Sequence, residues 1–381
     1  MRIALLTHST NPRGGVVHAL ELADALVRLG HQPVVHAPDP SGAGFFRDRI
    51  APTISVPASP TTGGLADLVA SRIADYVDYF HDPAHRAFDL FHAQDGISGN
   101  ALAMLKQVHL IDRFARTVHH IDHFDDPRLD ALQTRSILAA DQLFAVSRAG
   151  RGALEDRFGM TARIVGNGID RRRYTSVGDG REPGLRRRLG LGPGPVFLAV
   201  GGVEARKNTN RALEAFERFH HGQPSAQLVI AGGASLLDHG AYQRQFEARL
   251  RASALPAGAV VRTGPIPDQD MPALYRLADA LLFPSIHEGF GLVVIEAMAS
   301  GVPVVTARIE PFTEYLGACD VAWCDPTSVP SIAEAMARVL AEPFRSRLVA
   351  RGREVAARHD WSETARAHLV AYTSLREPLH A

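Results

Sequence analysis

The chain has no charge surplus. Its 41 Lys and Arg residues are matched by 41 Asp and Glu, so no overall field gathers nucleic acid. Cysteine is scarce, at 2 in 381 residues. Cys319 and Cys324 fall at an odd offset in one expected strand, which turns their side chains to opposite faces. Core residues or free thiols are expected there rather than a disulfide or a metal site. No apolar run approaches the ~20 residues that cross a bilayer, and the stretch Ile3–Leu6 is too short for the core of a signal peptide. A cytoplasmic location is therefore expected. The first strand–helix turn lacks the G-x-G-x-x-G fingerprint, which disfavours a nicotinamide-dependent dehydrogenase. What the chain does have is length for two or three domains and an ordinary hydrophobic content of 46%.

The most informative stretch is Pro284-Ser285-Ile286-His287-Glu288-Gly289-Phe290-Gly291, continuing to Gly301. Ala280–Phe283 reads as a buried strand that stops at Pro284. Helix formers from Leu292 to Ala299 end at Gly301. A helix that opens just after Gly291 presents free N–H groups and a positive dipole end to an anion such as phosphate. Glu288 in the loop and Glu296 about one turn into the helix would repel that anion. Their useful partners are therefore neutral hydroxyls of a sugar or ribose.

Elsewhere strands and helices alternate, which predicts parallel sheets with crossover helices. Arg2–Thr7 is a strand and Val16–Leu29 a helix closed by Gly30; between them Gly14 and Gly15 can bring bare backbone close to a ligand, or simply make a βα turn. Segment 37–64 reads as Pro/Ser/Gly-rich loops. Phe114–His119 is a strand that ends among His119, His120, Asp122, His123, Asp125 and Asp126. That cluster reads as the mouth of an open sheet, with metal binding as the alternative. Ser147 is a plausible N-cap. From Val177 to Pro195 the texture turns to Gly, Pro and Arg, which marks an interdomain region. Arg171–Arg173 and Arg186–Arg188 read as solvated surface, with an anionic membrane or acidic acceptor as the other use. A second alternation starts at Val196 and passes through Gly201-Gly202, Arg206-Lys207-Asn208 and Gly232-Gly233. Phe344–Ala371 reads as terminal helix with a break near His359-Asp360-Trp361.

Taken together, Glu288-Gly289-Phe290-Gly291 through Glu296 (E-x7-E), Gly14-Gly15, Thr117-Val118-His119, Val146-Ser147, Asn167-Gly168-Ile169-Asp170 and Arg206-Lys207-Asn208 resemble the retaining glycosyltransferases of family 4. The resemblance covers nearly the whole chain. It implies the GT-B fold, an α/β architecture of two Rossmann-like doubly wound domains facing across a cleft. Residues 1–177 would form the acceptor-side domain, 178–195 the interdomain region and 196–358 the nucleotide-sugar domain. Residues 359–381 would be a helical segment packing back on the first domain. Glu288 would touch the transferred sugar, Glu296 the ribose hydroxyls, and Lys207 the leaving diphosphate, helped by N–H groups of Gly291 and Leu292. Ile266 would lie beside the nucleobase; Gly232, Ser285, Gly289 and Phe290 complete the donor side. From the first domain, His119 would approach the sugar, with His120 and His123 as alternatives, and Gly14-Gly15 would leave space near the phosphates.

The resemblance implies a hexosyltransferase that needs neither cofactor nor metal. Its donor would be a UDP-, GDP- or ADP-linked sugar, and its acceptor a sugar, glycan, lipid-linked or small molecule, with peripheral contact at the inner membrane face as one setting. Two departures stand out. The arginine that many members place just after the strand preceding the lysine is missing from Val200-Gly201-Gly202-Val203, and Arg206 is the candidate replacement. Val293 stands where a proline is frequent. A sugar-nucleotide epimerase of the same fold and a non-catalytic nucleotide-sugar or glycan-binding protein are the alternatives.

Overall fold

The computed structural model describes residues 1–233 and 239–376. The chain divides into two compact units, Met1–Gly168 with Asp360–Ala381, and Ile169–His359. The last five residues of the first unit's terminal segment lie outside the described residues.

The first unit is built on seven parallel strands: β1 (Arg2–Leu6), β2 (Gln32–Asp39), β3 (Thr53–Pro57), β4 (Leu90–Ala93), β5 (Phe114–Val118), β6 (Gln142–Ala145) and β7 (Arg163–Ile164). Their order is β3-β2-β1-β4-β5-β6-β7. The central strand β1 is apolar after Arg2 because helices cover both faces of a parallel sheet, while β4 and β5 also bury His92, Arg116 and Thr117; Phe114 and Phe144 are fully buried in the sheet. The second unit has β8 (Val196–Val200), β9 (Gln227–Ala231), β10 (Val260–Gly264), β11 (Ala280–Phe283), β12 (Val304–Ala307) and β13 (Ala322–Cys324), in the order β10-β9-β8-β11-β12-β13. Every strand pair in both sheets is parallel.

In each sheet the direction of winding reverses once, between β1 and β4 and between β8 and β11. Such reversals leave a crevice at the carboxyl ends of the two strands, because the loops leaving them run to opposite faces.

Several elements differ from expectation. The segment read as loops contains β3, an edge strand in which Val56 alone is buried, so its apolar signal is thin. Pro127–Leu138 is a helix, started by Pro127 in its first turn and by the Asp126 carboxylate accepting from the Arg128 N–H at 2.9 Å. The division between units falls ahead of the Gly/Pro/Arg-rich segment. That segment carries the helix Glu182–Arg188, and both Arg181 and Arg188 pair with Asp270, which ties it to the second unit. Cys319 is exposed and precedes the three-residue strand that holds the buried Cys324; both thiols are free. The argument from strand alternation therefore does not apply to Cys319.

The terminal helices run Phe344–Ala357 and Trp361–Arg376. Asp360 marks the break, its carboxylate accepting from the Ser362 N–H at 2.7 Å. The second of these helices packs on the first unit's helix Gly14–Arg28, with Trp361 edge-on to His18 at 5.3 Å.

Candidate functional site

In the second unit the site forms where the winding reverses. The chain leaves β8 through Gly201 and Gly202, turns at 205–208, and enters the helix Thr209–His220. The neighbouring strand β11 leaves through Pro284. The two exits are stitched together: the Ile286 N–H donates to the Arg206 carbonyl at 2.9 Å, and Asn208 Nδ2 donates to the Pro284 carbonyl at 3.0 Å. Asn208 can do this because its φ is +60°, a left-handed conformation that asparagine tolerates.

This stitching sets Lys207 against Glu288, with Lys207 Nζ 2.6 Å from Glu288 Oε1 and 4.5 Å from the centre of the Phe283 ring. Arg206 Nη1 reaches the same carboxylate oxygen at 3.4 Å. The Lys207 and Glu288 side chains are only 11% and 7% exposed. Burial pushes the Lys207 ammonium below the ordinary lysine pKa; Glu288 opposes that shift and Arg206 adds to it. Burial works to raise the Glu288 carboxyl, but the charges of Lys207 and Arg206 outweigh it and bring the pKa below the usual value. A desolvated ion pair contributes little net stability, whereas removing one partner strands the other at a cost of about 3–5 kcal/mol.

The lysine has its own steric requirement. Gly201 has φ +120°, and a Cβ there would lie 2.8 Å from Lys207 Cε. Gly202 at φ +73° and Gly232 at φ +113° bring the exits of β8 and β9 together: a Cβ on Gly202 would meet the Gly233 carbonyl oxygen at 2.9 Å, and one on Gly232 the Gly202 nitrogen at 3.1 Å.

The helix Leu292–Ala299 begins at Gly291, whose φ is +90°. A Cβ at Gly291 would lie 2.5 Å from Phe312 Cε1, so both the backbone and the packing require glycine. The Val294 N–H donates to the Gly291 carbonyl at 2.9 Å, and the N–H groups ahead of it have no acceptor within the helix, which makes an anion-favouring end. Glu296 is 8% exposed and accepts from the Tyr275 hydroxyl at 2.6 Å. Phe290 is buried, its ring stacked on Tyr315 at 4.9 Å, so what it can offer a donor is backbone. Ser285 is fully buried, Gly289 and Leu292 are half-buried, and Ile266 is half-buried in the loop after β10.

In the first unit the reversal lies between β1 and β4, and the loop after β1 enters the helix Gly14–Arg28 directly at the two glycines. A Cβ on Gly15 would come 3.2 Å from His119 Cδ2, whereas one on Gly14 meets nothing within 4 Å. His119, at the end of β5, is half-buried. Its Nε2 lies 3.1 Å from Gln94 Oε1, a contact to which a neutral imidazole contributes an N–H. Burial, then the neighbouring His18, His120, His368 and Arg116, hold its pKa well below the ordinary histidine value. A neutral hydrogen-bonding ring suits a sugar hydroxyl better than a phosphate. His120 is exposed and paired with Asp122 at 3.1 Å, and His123 is exposed. Among the described residues no three or more His, Cys, Asp or Glu side chains are grouped to hold a metal ion.

The structure thus gathers Lys207, Arg206 and Glu288 in the second unit, and Gly15 with His119 in the first. Sequence reasoning missed Gly201 as the floor under Lys207 and Gly202 at the close approach of β8 and β9, Tyr275 on Glu296, Phe283 under the ammonium, and Gln94 on His119. Only the glycine pair carried a visible signal, a Gly-Gly directly after a strand.

Two family models match the chain in succession: Glycosyltransferase Family 4 over residues 12–173 and Glycosyl transferases group 1 over residues 184–368. The chain is 28% identical to the D-inositol 3-phosphate glycosyltransferase of Xylanimonas cellulosilytica, over 97% of its own length and 96% of that protein's. The solved sucrose-phosphate synthase from Thermosynechococcus elongatus has a TM-score of 0.79 at 22% identity, covering 98% of both chains. Anabaena HepE in complex with UDP-glucose has a TM-score of 0.76 at 19% identity, covering 98% of this chain and 100% of that one.

Proposed function

The chain belongs to the family 4, group 1 glycosyltransferases and has the GT-B fold of two Rossmann-like units, and we propose that it moves a hexose from a nucleoside diphosphate donor to a hydroxyl acceptor with retention of configuration. The observation that carries this reading is the buried Lys207–Glu288 pair at the reversal of the second sheet, beside a helix start opened by Gly291. HepE was solved in complex with UDP-glucose, which supports a nucleotide-sugar donor.

In this reading the bond between the anomeric carbon and the leaving phosphate oxygen breaks, and the acceptor oxygen bonds to that carbon on the same face. The acceptor proton passes to the departing diphosphate. Lys207 and the N–H groups at the helix start act where charge grows on the leaving oxygen, which lowers the barrier without a metal. Glu288 takes a hydroxyl of the transferred sugar and Glu296 the ribose hydroxyls, while His119 supplies a neutral hydrogen bond to the sugar.

The test is a thermal shift with UDP, GDP and ADP, followed by hydrolysis and transfer assays on the matching labelled nucleotide sugars in EDTA. One diphosphate should raise the unfolding temperature. Lys207→Ala should lower turnover by about 10²–10³-fold, the scale of losing one oriented charge-stabilising donor. Unchanged turnover in Lys207→Ala would refute its role at the leaving group, and product of inverted configuration would refute retention.

A further inference from the structure

The turn that carries Lys207 begins with a carboxylate for which the chemistry above has no use. Glu204 is 1% exposed. Its Oε2 lies 3.0 Å from Arg206 Nε, and its Oε1 lies 3.7 Å from His239 Nε2. Arg206, held by Nε on that side, points Nη1 at Glu288 Oε1 at 3.4 Å. The backbone fixes the same arrangement, since the Lys207 N–H donates to the Glu204 carbonyl at 3.1 Å. Along the site the charges therefore alternate: Glu204, Arg206, Glu288, Lys207.

The exit of β8 shows why the second cation sits on the turn. Position 202 is at φ +73°, and a Cβ there would lie 2.9 Å from the Gly233 carbonyl oxygen. No arginine side chain fits at that point while β8 and β9 leave as they do. Arg206, further along, has a side chain that is 35% exposed, and an exposed arginine samples many rotamers unless something fixes it. A planar guanidinium anchored through one edge keeps its other N–H groups in a set direction, so less ordering is left to do when an anion arrives.

Resting on the donor reading above, we propose that Glu204 is a positioning residue. It holds Arg206 by Nε so that the Nη groups face the leaving diphosphate, which restores from the turn the second positive charge that the strand exit cannot carry. Glu204 touches neither donor nor acceptor and acts through Arg206.

The experiment is calorimetric titration of UDP, GDP and ADP, and of the matching monophosphates, into wild type, Glu204→Gln, Arg206→Ala and the double variant. Wild type should bind one diphosphate. Glu204→Gln should weaken that diphosphate about tenfold, as expected when the ion pair that preorganises the cation is lost, and the monophosphate less than twofold. Arg206→Ala should show the same selective loss, and the double variant should be no weaker than Arg206→Ala alone. A merely structural Glu204 would weaken both nucleotides alike. If Glu204→Gln does not fold, Arg206→Lys, which keeps the charge but loses Nε, should reproduce the selective loss. Diphosphate binding unchanged in Glu204→Gln, or in Arg206→Lys where that variant is needed, overturns the proposal, as does a double variant whose loss is the product of the singles. Wild type that binds none of the three diphosphates overturns the donor reading, and this proposal falls with it.

Discussion

Five histidines of the first unit, His18, His36, His92, His119 and His368, are held neutral by burial. Four of them form one cluster, with His18 4.8 Å from His119 and 5.7 Å from His368, and His92 5.4 Å from His368. The perturbation is acidification. Burial lowers His18 and His36 to about 4 and His368 to about 3, from an ordinary value of 6.5. The folded chain therefore binds fewer protons than the unfolded chain, and stability falls as pH drops below about 6.5 and keeps falling towards the folded values. At pH 5 the unfolded chain carries nearly one proton on each of the three and the folded chain almost none, a loss of about 2 kcal/mol per histidine relative to neutral pH. The three together remove about 6 kcal/mol, comparable with the whole stability of a typical domain, about 5–15 kcal/mol.

Urea unfolding followed by fluorescence measures this. With Trp323→Phe, Trp361 reports the first unit, because it is buried edge-on to His18. The urea midpoint should fall steeply from pH 7.5 to pH 5, unfolding at pH 5 should take up three or more protons, and His36→Leu, which removes one of the five buried rings, should reduce the slope by about one fifth. A midpoint unchanged between the two pH values, or uptake of less than one proton, would refute the assignment of these rings as buried and neutral.

The alternation of apolar runs and helical spacing made both parallel sheets legible, because a strand covered on both faces is apolar over most of its length. β3 was hidden for the opposite reason: an edge strand with one buried residue has almost no pattern. The helix Pro127–Leu138 was obscured by reading Asp125 and Asp126 with the nearby histidines as a loop at the mouth of the sheet, when Asp126 is a helix cap. Glu288 and Glu296 could be found because seven residues of one loop and helix separate them. The pairing of Lys207 with Glu288 could not, since it depends on β8 and β11 being neighbours in the sheet. Local spacing carries no record of strand order. Tyr275 was equally invisible, as one more apolar position on a core helix until its hydroxyl is seen on Glu296.

The glycines and the Glu296 support make further tests. Gly291→Ala combines a positive φ with a contact 2.5 Å from Phe312 Cε1 and should destabilise the second unit by about 2–4 kcal/mol in urea unfolding; a loss under about 0.5 kcal/mol would mean that the helix start is not held as described. Tyr275→Phe removes the hydroxyl that donates to Glu296 and should cost about 1–3 kcal/mol, read in the same assay. Gly14 and Gly15 separate packing from ligand space. A Cβ at Gly15 presses on His119 at 3.2 Å, so Gly15→Ala should displace the imidazole by a few tenths of an ångström and slow transfer several-fold, the order expected when a positioned group is shifted. At Gly14 a Cβ meets no protein atom within 4 Å, so Gly14→Ala should gain about 0.4–1 kcal/mol by restricting the unfolded chain. If the space above Gly14 belongs to the donor phosphates, that more stable variant must also transfer more slowly; full activity in Gly14→Ala would show that no ligand atom approaches there.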